Sequence, residues 1–126
     1  MGYFKDEHLI LSGYDKDVLE KIRRKLIKKI AKCLEKEDVG YNAPRQLASQ
    51  FVPPVIRLLA NGEHILYVPS DGSKEGWATS NDMDDIREWL YHKVDKINAG
   101  DSLSHISIIL VEQCDYNGLT VKSICD

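Results

Sequence analysis

The residues best suited to bind a ligand lie in a polar, glycine-containing loop between Ser70 and Asn81. Gly72 and Gly76 permit backbone conformations that are closed to other residues, and they allow a ligand to approach closely. Lys74 lies between them, and the free N–H groups at the start of the following helix would favour an anion. Arg87 on that helix can reach back toward the loop, because helical side chains lean toward the N-terminus. The predicted site for a partner protein or a small anionic ligand comprises Ser70, Asp71, Ser73, Lys74, Glu75, Trp77, Ser80 and Arg87.

The same loop also suits a purely structural turn between a strand and a helix. Ser, Asp and Gly are common turn residues, and Thr79 or Ser80 is suited to cap the helix. Trp77 would then plug the edge of the core, and Arg87 would pair with a carboxylate of the loop. The GxxxxGK[ST] spacing of a phosphate-binding loop is absent. The sequence therefore leaves both a structural and a binding role open for this segment.

The loop also carries a family resemblance. The run Asp71–Trp77 (DGSKEGW), followed by Thr79, Ser80, Asp84 and Arg87, resembles a segment of small phage and prophage proteins, and it covers about a sixth of the chain. The resemblance implies a mobile-element accessory protein that works by binding, as an inhibitor, an immunity protein or a counter-defence protein. It brings no catalytic residue and no cofactor with it.

A second candidate surface is the basic face of a long predicted helix. The segment from Lys16 to Lys36 holds nine basic and three acidic residues, a charge of +6, which leaves −9 for the rest of the chain. Nucleic-acid phosphate would suit a continuous positive ridge of this kind. A solvated helix face and a ridge that docks an acidic protein are the alternatives, because few aromatic residues interleave with the charges. The ridge lies opposite the helix's apolar stripe and comprises Lys21, Arg24, Lys25, Lys28 and Lys32.

A second, smaller anion site is predicted at Arg57 and His64. Both are expected on the exposed face of a hairpin, where they would flank an anion. A half-buried strand that carries two polar residues explains the same pattern, so both interpretations remain open.

Other chemistry finds little support. The four histidines are scattered without metal-ligand spacing, the three cysteines form no metal motif, and GxSxG and SxxK nucleophile motifs are absent. We therefore predict no metal, no cofactor and no catalytic residue. An enzyme of unrecognised type remains a lesser alternative to a binding protein.

Length and composition indicate one globular domain over residues 1–126. The apolar share is 43% and the charged share 29%, as in ordinary folded proteins. No apolar run approaches the roughly 20 residues that span a bilayer, and no signal-peptide pattern is present. The odd cysteine count does not suggest a disulfide framework. We expect a cytoplasmic protein that is not bound to a membrane.

Hydrophobic periodicity and turn residues predict the elements that position these side chains. The predicted order is β-α-(α)-β-β-α-β-β, an α+β two-layer sandwich that is compatible with a ferredoxin-like βαββαβ core plus one C-terminal strand. Asp15 is expected to cap the first helix, and Asn61-Gly62 to form a type I′ hairpin turn in which Leu58 faces Ile65. The predicted strands cover residues 8–11, 55–60, 63–68, 105–113 and 119–125, and the predicted helices run from Asp15 to about Glu37, over 44–50 and over 82–97.

The last strands are apolar on both faces. A sheet covered on one side by two helices needs only one apolar face, so Ile109, Val111 and Ile124 suggest a partner surface or a homodimer. Trp89 and Tyr91 on the second long helix could extend that contact. The alternative is a sheet face covered by the short helix and the N-terminal segment.

Overall fold

The computed structural model describes residues 5–36, 43–70, 78–100, 105–114 and 118–125. In these ranges the chain forms a two-layer α+β structure, which confirms the predicted fold class. The elements are β1 (Lys5–Gly13), α1 (Lys16–Lys36), α2 (Pro44–Phe51), β2 (Ile56–Arg57), β3 (His64–Val68), α3 (Ala78–Gly100), β4 (Ser107–Cys114) and β5 (Gly118–Cys125).

Among the described strands the sheet has the order β2-β3-β1-β4-β5, and every neighbouring pair is antiparallel. The strand nearest the N-terminus, β1, is therefore central, with β3 on one side and β4 on the other. A ferredoxin-like assignment remains a prediction. None of the described helices is both long and apolar enough to cross a membrane.

The core lies between one face of the sheet and the helices. Leu9 and Leu11 on β1 are fully buried, and their register partners on β3 and β4 are buried with them. Both long helices bury apolar residues at helical spacing in the same core, as the hydrophobic periodicity that predicted these helices requires. These helix residues are Leu19, Ile22, Leu26 and Ile30 on α1 and Met83, Ile86, Leu90 and Val94 on α3.

Asp15 caps α1 as predicted. Its carboxylate oxygen Oδ1 accepts hydrogen bonds from the backbone N–H groups of Asp17 (3.1 Å) and Val18 (3.3 Å). These bonds satisfy donors that have no partner within the helix, so the cap fixes where α1 begins.

Arg23 joins α2 to α1. Pro44 starts α2 after Ala43, which has a left-handed backbone (φ 54°) and makes no side-chain cap. At the other end of α2 the Arg23 guanidinium donates to the carbonyl oxygens of Ser49 (3.2 Å), Val52 (2.8 Å) and Pro53 (3.0 Å). The last carbonyl oxygens of a helix lack hydrogen-bond partners within it, so Arg23 of α1 supplies the donors that the C-terminal end of α2 needs.

The first hairpin differs from its prediction. The strand β2 has only two residues, and Ile56 rather than Leu58 pairs with Ile65. The Leu58 N–H instead donates to the Glu63 carbonyl at 2.7 Å, which closes a six-residue loop. Because the register differs by two residues, side chains that were predicted to share a face of the hairpin still share one.

The chemistry of Asn61 explains the longer loop. A type I′ turn needs a positive φ at both central residues, but of the two only Gly62 has one (74°). The Asn61 side-chain oxygen accepts a hydrogen bond from the Glu63 N–H at 2.9 Å. This side-chain turn replaces the predicted backbone turn.

Two elements are longer than predicted. The helix α3 begins at Ala78, so Thr79 and Ser80 lie inside it and the prediction that either one caps it is wrong. Ala is the strongest helix former, and Ser and Thr tolerate a first turn. The strand β1 extends beyond its apolar run because the polar residues Asp6 and Glu7 pair with β4.

The other face of the sheet carries Ile10, Tyr67, Ile109 and Val111, which are half-buried. The short helix α2 does not cover this face, because its buried Ala48 belongs to the core on the helical side. The N-terminal residues 1–4, the other predicted cover, lie outside the described residues. The homodimer remains a prediction.

Trp89 and Tyr91 do not extend the outer face. Both pack against the core of the helical layer. The Lys29 ammonium lies 4.8 Å from the centroid of the Trp89 ring, so this aromatic residue connects α3 to α1.

Candidate functional site

The predicted 70–87 site is only partly within the described residues. Asp71, Ser73, Lys74, Glu75 and Trp77 lie outside them. Ser80 belongs to α3, and only Ser70 and Arg87 can be placed with their side chains. Both make contacts to β1 that the sequence did not predict.

Arg87 is a buried structural residue. Only 7% of it is exposed, its Nε lies 3.1 Å from Oε2 of Glu7, and its Nη2 pairs with the Asp84 carboxylate. A buried guanidinium that bridges two carboxylates already has anionic partners. The prediction that Arg87 reaches a ligand or a loop carboxylate is therefore replaced by a link between β1 and α3.

Tyr91 belongs to the same ionic cluster. Burial is the largest cause that raises the pKa of Tyr91, and the charge of Glu7 raises it further. The Arg87 guanidinium acts in the opposite direction and lowers that pKa. Glu7, Asp84, Arg87 and Tyr91 thus form one electrostatically connected group between the sheet and α3.

Ser70 is fixed to the outer side of β1. Its hydroxyl donates to Asp6 Oδ1 (3.0 Å), and its backbone N–H donates to His8 Nδ1 (3.4 Å). The Tyr67 hydroxyl lies 2.6 Å from the same nitrogen, and the two rings are nearly parallel. An amide N–H can only donate, so Nδ1 is the acceptor and the proton of neutral His8 lies on Nε2. These contacts are structural.

Arg57 and His64 are brought together, but on the opposite face from the one predicted. They are register partners on β2 and β3, and His64 shares the side of β3 that carries the buried Leu66 and Val68. Arg57 is exposed, whereas His64 Nδ1 is buried with no hydrogen-bond partner among the described residues. The prediction that this pair lies on an exposed face of the sheet is therefore wrong, because His64 lies on the face that packs against the core.

The basic ridge of α1 is exposed along its whole length. Its five members are all exposed, and none forms an ion pair with a described residue. Among the described residues of α1 an ion pair occurs at Lys16 and Glu20 (3.6 Å), outside the ridge. The ridge residues are Lys21, Arg24, Lys25, Lys28 and Lys32.

A groove of about 530 Å³ runs between this ridge and α2. Arg45 on α2 adds a fifth cation to the lining, and Ser49 adds a hydroxyl. Arg45 could not be associated with the ridge from the sequence, because the sequence does not show where α2 packs. The lining comprises Lys21, Arg24, Lys25, Ile27, Lys28, Arg45 and Ser49.

The positive surface continues onto α3. The neighbouring Lys25 side chain is the largest cause that lowers the pKa of Lys93. The positive charge of Lys96 lowers it further. Neighbouring positive charges that lower a lysine pKa favour an anion at that point. We call the set Lys21, Arg24, Lys25, Lys28, Lys32, Arg45, Lys93 and Lys96 the basic surface.

Within the described residues no cluster of three His, Cys, Asp or Glu side chains could hold a metal ion. Comparison of the chain with protein-family models, with curated proteins and with solved structures finds no match. The phage and prophage resemblance of the loop remains a prediction.

Proposed function

We propose that this protein is a binding protein whose basic surface binds nucleic acid through the phosphate backbone. The observation that carries the proposal is the groove between α1 and α2, where five cationic side chains converge and none has a carboxylate partner among the described residues. Nucleic-acid phosphates supply negative charge at the density that such a surface requires.

The distribution of charge favours a specific orientation. The segment 16–36 carries +6 and the rest of the chain −9, so a polyanion is attracted to one side and repelled by others. The net charge of −3 does not oppose this binding, because salt screens charges that lie more than about 10 Å away.

This proposal changes the order of the two binding hypotheses. Arg87 of the 70–87 site is paired with Glu7 and is not a ligand-binding group. The ridge, in contrast, borders a groove and lies beside three further cations, Arg45, Lys93 and Lys96. Three predictions from the sequence remain predictions. They are the capture of a partner protein through Lys74 and its neighbours, a role in a mobile element, and a cytoplasmic location.

The proposal is tested by fluorescence anisotropy with labelled nucleic acids over about 50 to 200 mM salt. We expect affinity to fall steeply as salt rises, and Lys28→Glu in the groove to weaken binding about tenfold or more. The matched control is Lys16→Glu, the same change on the same helix outside the basic surface. A flat salt response, or equal losses in the two variants, would contradict the proposal.

A further inference from the structure

The described lining of the groove between α1 and α2 contains no stacking platform. Proteins that bind single strands combine a positive groove with exposed aromatic rings on which bases stack. The groove between α1 and α2 has no aromatic residue among its described lining. Trp89 is in contact with Lys29, and Tyr91 and Phe51 pack against the core. The exposed Tyr14 precedes α1 and is not part of that lining. The described groove therefore offers contacts to phosphates but no ring for unstacked bases.

The cations are spread in two directions. Along α1, Lys21 and Lys32 are eleven residues apart, which is about 16 Å at the helical rise. Across the helices, Arg45 lies on α2, and Lys93 and Lys96 lie on α3. Because α1 packs against both α2 and α3, and packed helices are about 8–10 Å apart, the charges also extend across the helices.

We propose that the ligand of the basic surface is a nucleic-acid duplex, with α1 and its two neighbouring helices contacting both phosphate backbones. This inference rests on the proposed function. A single strand presents one row of phosphates, whereas a duplex presents two rows on either side of a groove. The two-dimensional spread of cations matches the second arrangement.

Lys25 on α1 and Lys93 on α3 are close enough for Lys25 to lower the pKa of Lys93, so the two side chains offer the duplex a shared point of attachment. A phosphate placed between the two ammonium groups relieves their mutual repulsion and forms charge-assisted hydrogen bonds with both. Binding should therefore raise the pKa of Lys93, which its neighbour lowers in the free protein.

Recognition of this kind does not depend on base sequence. Lysine, which supplies six of the eight cations, acts as a point charge, whereas specific base contacts more often use Arg, Asn or Gln in bidentate geometry. We expect similar affinities for duplexes of unrelated sequence.

The experiment compares duplex DNA, duplex RNA, single-stranded DNA and single-stranded RNA of equal length, with poly-glutamate as a non-nucleic polyanion. We expect one or both duplexes to bind about tenfold or more tightly than the single strands at moderate salt. The duplex that binds more tightly shows whether the ligand of the basic surface is DNA or RNA. Nζ resonances of Lys93, observed by NMR, should shift on addition of the duplex.

The double variant Lys93→Gln/Lys96→Gln supplies the internal control. It should weaken duplex binding and make its salt dependence shallower by about two phosphate contacts, while single-strand binding changes little. Circular dichroism checks that the variant is folded. Single strands that bind as well as duplexes would overturn this inference and leave the proposed function standing. Absence of binding to any nucleic acid, or equal binding to poly-glutamate, would overturn both.

Discussion

Arg23 and Val52 are 29 residues apart in the chain, yet the guanidinium Nη2 of Arg23 holds the Val52 carbonyl oxygen at 2.8 Å. Val52 is fully buried, so its carbonyl has little access to water. The contact ties the end of α2 to the middle of α1 and fixes one wall of the groove. Arg23 and Arg24 are neighbours in sequence, but the first is structural and the second belongs to the basic surface.

The variants Arg23→Met and Arg24→Met separate these roles. Hydrogen bonds from a charged donor contribute about 1.5–3 kcal/mol, so Arg23→Met should lower the free energy of unfolding by about 2 kcal/mol. Arg24→Met, at an exposed position, should change it by less than about 0.5 kcal/mol and weaken nucleic-acid binding instead. Urea unfolding and anisotropy measure the two effects. Equal stability losses would contradict the assignment.

Arg87→Leu should destabilise the protein without changing the nucleic-acid affinity of the folded form. The substitution takes away the guanidinium that pairs with Glu7 and Asp84, and loss of one partner of a buried ion pair costs about 3 kcal/mol. The double variant Glu7→Gln/Arg87→Leu should recover part of that loss, because the charge that paired with the guanidinium is then removed as well. Chemical unfolding of the single and double variants gives the coupling energy. An unchanged unfolding free energy in Arg87→Leu would return Arg87 to the list of ligand-binding residues.

Tyr91 should titrate above the ordinary tyrosine pKa of 10.0, and Glu7→Gln should lower its pKa. Burial is the main cause of the raised value, and the Glu7 charge adds to it, so only part of the shift should disappear. The folded state holds the phenolic proton more tightly than the unfolded state, so this stability is complete below pH 10 and is lost as pH rises through the folded pKa. Ultraviolet titration of the protein, with Tyr91→Phe subtracted, isolates this signal. A higher pKa in Glu7→Gln would refute the proposed electrostatic contact.

Gly13→Ala should destabilise the protein, whereas Gly100→Ala should not. A Cβ at position 13 would lie 2.9 Å from the backbone oxygen of His105, and backbone cannot move as easily as a side chain. Overpacking of this kind costs about 1–3 kcal/mol. At Gly100 no described atom lies within 4 Å of the added Cβ, and alanine favours a helix by about 0.5–1 kcal/mol over glycine. Thermal unfolding should show opposite shifts, and similar shifts would argue against the close approach at Gly13.

The parts of the fold that follow from local periodicity could be predicted from the sequence. The apolar stripes of α1 and α3 are buried as their spacing indicates, and Asp15 caps α1. These features depend on residues within a few positions of one another. The hairpin turn was less predictable, because the Asn61 side chain competes with the backbone conformation that Asn-Gly usually favours.

The candidate site depends on contacts between distant segments, which a single sequence does not reveal. The ridge on α1 was predictable from helical spacing alone. Arg45 and Lys93 were not, because their place beside the ridge depends on how α2 and α3 pack against α1. Arg87 was misassigned for the same reason. Its sequence neighbours indicated a ligand-binding residue, but in the fold it forms an ion pair with Glu7 on a distant strand.

The unpaired cations of α1 also determine how the protein should behave on an ion-exchange column. Net charge alone, at −3, predicts retention on an anion exchanger at pH 7 and none on a cation exchanger. A sulfonated resin, however, is a polyanion that meets one side of the molecule at a time, and the exposed ridge has no ion-pair partner in the part of the chain that the structure describes. The protein should therefore adsorb to resins of both signs. The salt concentration that elutes it from the cation exchanger would measure how strongly the ridge binds a polyanion.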